Sequence, residues 1–246
     1  MTEALVLCYH AVSPSWTAAL SVTPDALERQ LASLLRRGWQ STTFTEAVLN
    51  PPAKRTLAVT FDDAYTSVRD LAEPILSALG MAATVFAPTA FMSHHQLLDW
   101  DGIDHWHHTP TADELTGMDW GDLAGLADRG WEIGSHTRTH PHLPGLDEST
   151  LRHELETSLQ ECRDHLGRPC RSIAYPYGDV DARVAQGARA AGYIAGAALP
   201  AAPRGHEPLR WPRVGIYHAD DDRRFGLKMN PVVRHLRSSR LWLSAT

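Results

Sequence analysis

A chain of 246 residues, 43% of them hydrophobic, is long enough to bury one sizeable core and fits a single domain. Its formal net charge of −6 argues against a general nucleic-acid binder. Three cysteines, Cys8, Cys162 and Cys170, lack metal-ligand spacing and fit a reducing compartment better than a disulfide framework. Residues 4–9 read as a strand. Thr23-Pro24 caps a helix running to about Arg37, where Gly38 ends it. A strand over 56–61 precedes a helix over 67–79 that stops at Gly80, and a strand over 82–87 follows. Asp119 caps a helix to Arg129, and residues 131–135 form a strand. The longest helix spans 146–166 and ends at Gly167. Strands over 171–175, 193–197 and 213–217 complete the pattern, with a helix over 180–191.

Short apolar runs alternating with helices predict a parallel α/β architecture. The count suits a barrel of seven or eight strands, although periodicity alone also admits an open doubly wound sheet. Residues 1–222 form this unit. Residues 223–246 hold six Lys or Arg and no acid, and predict a basic C-terminal helix or tail. Such a segment either packs on the barrel or rests on an anionic membrane surface. Met1-Thr2-Glu3 runs straight into apolar residues, and no apolar run reaches the length of a membrane span. The expectation is a cytoplasmic protein, at most peripheral to the membrane.

Chemistry concentrates in residues 57–65, where an apolar run ends in Asp62 and Asp63. A strand there delivers both carboxylates to its carboxyl end, where α/β proteins collect their active groups. Two adjacent carboxylates need a compensating cation or proton. His136 and His140 stand four apart, at a strand end running into a turn, with no Glu after the first His to make a helical zinc-protease motif. Asp63, His136 and His140 together offer three N/O ligands and an open position, the pattern of a catalytic zinc site. Residues 93–116 carry His94, His95, His105, His107 and His108 beside Trp100 and Trp106. They read as a mobile, aromatic-bearing loop near the pocket rather than a second metal site.

These motifs resemble the polysaccharide deacetylase (NodB-homology) family, carbohydrate esterase family 4. Thr60-Phe61-Asp62-Asp63 matches its first motif, His136-Thr137-Arg138-Thr139-His140 its second, and Tyr175-Pro176-Tyr177-Gly178 its third. Leu7-Cys8-Tyr9-His10-Ala11-Val12 and Trp211-Pro212-Arg213-Val214 look like the branch acting on poly-N-acetylglucosamine. The resemblance covers residues 4–217 and implies a distorted (β/α) barrel. It implies removal of N-acetyl groups from an amino sugar in a glycan or lipid-linked precursor. It also implies one divalent metal, zinc with cobalt or nickel as alternatives, held by Asp63, His136 and His140.

On the same resemblance, Asp62 is the base that acts on a metal-activated water. The Tyr177 backbone N–H faces the oxyanion, with Gly178 turning the chain behind it. Many relatives carry an Arg two residues before the motif's Pro. That position is Ala174 here, and Arg213 is the candidate to supply the charge from another strand. The acid for the departing amine is His10, at the end of the first strand, or His218 in Ile216-Tyr217-His218. His10 is preferred, with His218 expected at the rim. The competing readings are a small-amide hydrolase of the same fold, such as a deformylase or cyclic-amide hydrolase, and a carbohydrate-binding relative without catalysis.

Overall fold

The computed structural model describes residues 3–199 and 207–230. In chain order it begins with β1 (Glu3–Tyr9), the two-residue strands β2 (Ala11–Val12) and β3 (Ser21–Val22), and α1 (Pro24–Arg36). Then come β4 (Gln40–Thr42), α2 (Phe44–Leu49), β5 (Arg55–Phe61), α3 (Glu73–Ala78) and β6 (Thr84–Ala87). After a long connection follow α4 (Trp120–Asp128), β7 (Glu132–Ser135), α5 (Glu148–Leu166), β8 (Ser172–Ala174) and α6 (Ala182–Ala191). The last elements are β9 (Ala195–Ala198), β10 (Trp211–Pro212), β11 (Val214–Gly215) and α7 (Asp222–Met229).

The sheet is parallel throughout and runs β10-β9-β8-β7-β6-β5-β1-β11. β4 pairs with the first half of β5, and β2 pairs with β3 apart from the main sheet. Closure comes from one extended segment, residues 211–215. Trp211 and Pro212 register with Ala197 and Ala198 of β9, while Val214 and Gly215 register with Leu7 and Cys8 of β1. The sheet is thereby a nearly closed α/β barrel, and the open doubly wound alternative is excluded. The single strand expected over 213–217 is instead two short strands that break at Arg213. There the chain leaves one sheet edge and joins the other, and Arg213 N–H donates to Ala198 O at 3.2 Å.

Strand alternation sorts the core. Leu5, Leu7 and Tyr9 of β1 and Leu57, Val59 and Phe61 of β5 pack in one cluster with Leu27, Leu31 and Leu34 of α1. The intervening Val6 and Ala58 pack in another, with Phe86, Ala174, Ala195, Ala197 and Trp211. This second cluster is the barrel interior. α2 adds Phe44, Ala47 and Val48 to it. Phe44 N–H bonds Thr84 Oγ1 (2.9 Å) and Thr45 N–H bonds Glu132 (2.9 Å). Both acceptors open their strands, so α2 stoppers the barrel at its amino end and leaves the carboxyl end for chemistry. α2 and β4 escape sequence reading because six and three residues are too short to show a period.

Local signals account for most helix ends. Thr23 Oγ1 accepts from Ala26 N–H at 3.2 Å. Asp119 and Asp122 form a reciprocal capping box on α4. Asp147 caps α5, which stops at Gly167 with φ 61°. The helix expected over 67–79 differs in its first turn. Residues Val68–Ala72 form a π turn, closed by Glu73 N–H donating to Val68 O. Pro74 has no N–H to continue a regular ladder from that point. In α7, Phe225 and Met229 are buried in the main core. The start of the basic C-terminal segment therefore packs on the barrel, and residues 231–246 lie outside the described residues. No helix among the described residues is long and apolar enough to cross a membrane.

Candidate metal centre and its surroundings

β5 delivers the two adjacent aspartates to different places. Asp62 continues the inward row of Ala58 and Thr60, and its N–H still pairs with Tyr9 O at 3.0 Å. At Asp63 the backbone turns left-handed (φ 70°), followed by Ala64 (φ 55°). Thr137 (65°), His140 (62°) and Tyr177 (59°) share that conformation. Non-glycine residues rarely adopt it, and its concentration in three separated motifs marks backbone held for a purpose.

The turns bring Asp63, His136 and His140 together, each nearly fully buried, with ligand atoms within 4.8 Å of one another. Asp63 Oδ1 lies 3.3 Å from His136 Nε2 and 3.5 Å from His140 Nε2. His136 Nδ1 sits 2.8 Å from Ala174 O, which fixes that nitrogen as the protonated one and turns the Nε2 lone pair toward Asp63. Asp63 Oδ1 has no hydrogen-bond donor despite its burial. Three electron-pair donors thus converge on one point, a demand met by a cation or by a proton. Burial opposes charge on His136, yet the carboxylates of Asp62 and Asp63 outweigh it and raise its pKa. A proton there and a divalent ion are alternative answers to the same charge. Burial, then His136, push His140 down to about 3, so its imidazole is neutral and available as a ligand at ordinary pH.

Beside this cluster, Asp62 is gripped by Arg213. The guanidinium makes two parallel bonds to the carboxylate, at 2.6 and 2.7 Å, and a third to Thr60 Oγ1 at 3.0 Å. Both partners are 2% exposed. Burial works to raise the Asp62 pKa, but the Arg213 charge prevails and holds the carboxyl well below its usual range. Small interior residues make room for this long side chain. Ala174, Ala195 and Ala197 pack in one cluster with Phe86, and the guanidinium lies 5.6 Å above the Phe86 ring.

His10 joins this group. One of its ring nitrogens, Cys8 Sγ and an Asp62 oxygen lie within 4.8 Å of one another. Its Nδ1 is buried without a partner. Burial lowers the His10 pKa against the opposing pull of Asp63 and Asp62. Tyr177 stands at the rim, 40% exposed, with its hydroxyl donating to Asp101 O at 3.1 Å. Gly178 behind it is required twice over. Its φ is 73°, and a Cβ would come within 2.3 Å of Leu199 Cβ. His218 is the sequence candidate that the fold leaves apart. It is exposed after β11, with its N–H on Ala19 O at 2.9 Å.

The histidine tract over 93–116 gathers no buried ligand set. His95 meets Asp119 at 3.3 Å and Asp122 at 3.4 Å, and His107 meets the exposed Asp99 at 3.5 Å. Asp119 and Asp122 already cap α4, and Asp122 pairs with Arg69 at 2.6 Å. Two residues absent from the sequence reading of the site emerge. Cys8 donates to Asp62 Oδ2 at 3.4 Å. Its place on β1, two residues before His10, which directly follows that strand, was a usable signal. Glu154 of α5 accepts from Arg138 N–H (2.8 Å), Thr139 N–H (2.9 Å) and Thr139 Oγ1 (2.7 Å), inside the His136–His140 turn. Nothing in the sequence marks it, because two of its three donors are backbone groups.

Over residues 49–196, more than half of its length, the chain matches the family model described as polysaccharide deacetylase. The chain belongs to the polysaccharide deacetylase family. The YxkH protein of Bacillus subtilis (strain 168), named for the same family, is 28% identical over 196 residues. That match covers 78% of this chain and 62% of YxkH, so the chain spans about three fifths of that relative's length. Among solved structures, the Streptococcus pyogenes deacetylase PplD in complex with acetate superposes with a TM-score of 0.76 at 23% identity, covering 94% of this chain and 99% of that one. IcaB from Ammonifex degensii gives 0.73 at 22%, covering 96% and 98%. At such identities the likeness is one of fold.

Proposed function

We propose that the protein is a metal-dependent hydrolase that removes N-acetyl groups from an amino sugar in a glycan or glycan precursor. The observation carrying this reading is the convergence of Asp63, His136 and His140 beside an Asp62 carboxylate that Arg213 keeps ionised. A divalent ion held by those three residues, zinc foremost and cobalt or nickel as alternatives, would acidify a water and polarise the acetyl carbonyl.

The chain's own groups do the proton work. Asp62, fixed by Arg213, accepts the proton of the attacking water as its oxygen bonds to the carbonyl carbon. The Tyr177 N–H, presented by a left-handed turn, steadies the oxyanion. His10 is the acid. Burial lowers the His10 pKa, so the acid is its minor protonated form, which gives its proton to the departing amine as the C–N bond breaks, and acetate leaves. His10 lies within the buried group and His218 outside it, which supports this choice.

Acetate release from N-acetylglucosamine oligomers tests the proposal. The chain loaded with zinc should release acetate, lose that activity to a chelator and regain it with metal. No release from any N-acetylated sugar, with turnover of formyl or cyclic amides instead, would move the assignment to a small-amide hydrolase. Sugar binding without turnover would make the protein a binder.

A further inference from the structure

The two histidines of the proposed metal centre are steadied in different ways. His136 has the usual support of a ligating imidazole, its remote nitrogen on a backbone carbonyl, Ala174 O at 2.8 Å. His140 Nδ1 is buried and has no hydrogen-bond partner in the protein. Without such a bond the ring is free to turn about its outer torsion, where rotamer wells are broad. Aromatic faces hold it instead. The Trp100 indole lies nearly parallel to the imidazole, with centroids 4.1 Å apart and planes at 22°. Tyr177 meets it edge-on at 4.8 Å.

Trp100 is itself fixed. Phe91 packs against it at 5.2 Å and 80°. Its carbonyl accepts from Ile103 N–H (3.2 Å) and Asp104 N–H (3.1 Å). The Tyr177 hydroxyl on Asp101 O ties the same turn to the third motif. Further along, Trp106 packs edge-on against buried Trp16 at 5.5 Å. The loop around Trp100 is therefore bonded down on both sides of the ligand.

We propose that Trp100 is a positioning residue for His140. Its indole face sets the plane of the imidazole and hence the direction of the Nε2 lone pair, the part a hydrogen bond plays for His136. The role rests on the reading of Asp63, His136 and His140 as a metal site. An imidazole bound to a cation gains positive character, which an indole face favours further.

Zinc affinity, measured by competition with a chromophoric chelator, and the visible spectrum of the cobalt(II) form test this. Trp100→Ala should bind zinc about 10–100-fold more weakly, the range for loss of a ligand's orienting partner. Its cobalt spectrum should shift, and Trp100→Phe should recover most of both. Trp100→Leu keeps bulk without an aromatic face and should also bind zinc about 10–100-fold more weakly with a shifted cobalt spectrum, which gives the test even where Trp100→Ala folds poorly. Trp120 stacks on His165 at 4.5 Å, away from the site, so Trp120→Ala should bind zinc as wild type does. Wild-type affinity and spectrum in Trp100→Leu would overturn the proposal. A wild-type protein that takes up neither ion would instead overturn the metal reading beneath it.

Discussion

At Asp62 and Asp63, neighbours in sequence with the same side chain, the strand pleat and one left-handed residue create opposite environments. Asp62 faces the barrel interior and Arg213, whereas Asp63 faces two imidazoles. Removing one member of a buried ion pair leaves the other charged and unpaired, at a cost of about 3–5 kcal/mol. Arg213→Met should therefore lower the unfolding free energy in urea by about that much, and a stability equal to wild type would contradict the pairing. Asp62→Asn should cut acetate release by roughly 10²–10⁴-fold while zinc content stays near wild type. Retained activity there would rule Asp62 out as the base. The folded pKa of Asp62 lies below its unfolded value, so its contribution to stability is present above the ordinary carboxylate range. That contribution is lost as pH falls toward the folded value, so the stability deficit of Asp62→Asn should shrink in acid.

Among the elements, the His136–His140 turn shows how strain is held. Left-handed non-glycine residues cost about 1–3 kcal/mol each, and two of them, Thr137 and His140, occupy this turn. Glu154 offsets that cost with three bonds from Arg138 and Thr139. Thr137 N–H bonds Ser135 Oγ, and His140 N–H bonds Thr137 Oγ1. α5 is thus the platform of the ligand loop as well as a packing helix. Glu154→Ala should weaken zinc binding at least about tenfold, since partners behind metal ligands carry effects of that size. Glu154→Gln, which keeps one acceptor oxygen, should fall between the two. Calorimetric zinc titration of all three proteins would decide it, and equal affinities would reduce Glu154 to a packing role.

On the scale of the whole molecule, closure of the barrel and formation of the site are one event. The segment that joins β9 to β1 carries Arg213 at its midpoint, so the last stretch of barrel also delivers the partner of Asp62. Packing of the sheet and its helices also seals the thiols. Cys8, Cys162 and Cys170 are free and buried, and burial raises the pKa of the Cys8 thiol. A buried neutral thiol is a poor nucleophile. An aromatic disulfide reagent should therefore titrate no thiol in the native protein and three after denaturation. Rapid reaction of one thiol in the native state would show that the packing around it opens.

By itself the sequence determined what local chemistry encodes. Caps at Thr23 and Asp119 and stops at Gly38, Gly80 and Gly167 located the helices, because such residues act on their own neighbours. Strand ends at Asp62 and His136 located the metal candidates for the same reason. Only the tertiary structure decided the rest. Closure of the sheet depends on pairing residues 197 and 214 with partners far away in sequence or across a loop, which no local period encodes. Arg213 was the charge the family resemblance nominated for Asp62, but its grip spans 151 positions and is made only in the fold, and Glu154 and Trp100 act on a histidine loop from other elements. α2 and β4 were too short for a period, and the split at Arg213 follows from which sheet edges the chain meets. Contacts of this kind exist once packing brings distant segments together, so they are properties of the folded chain.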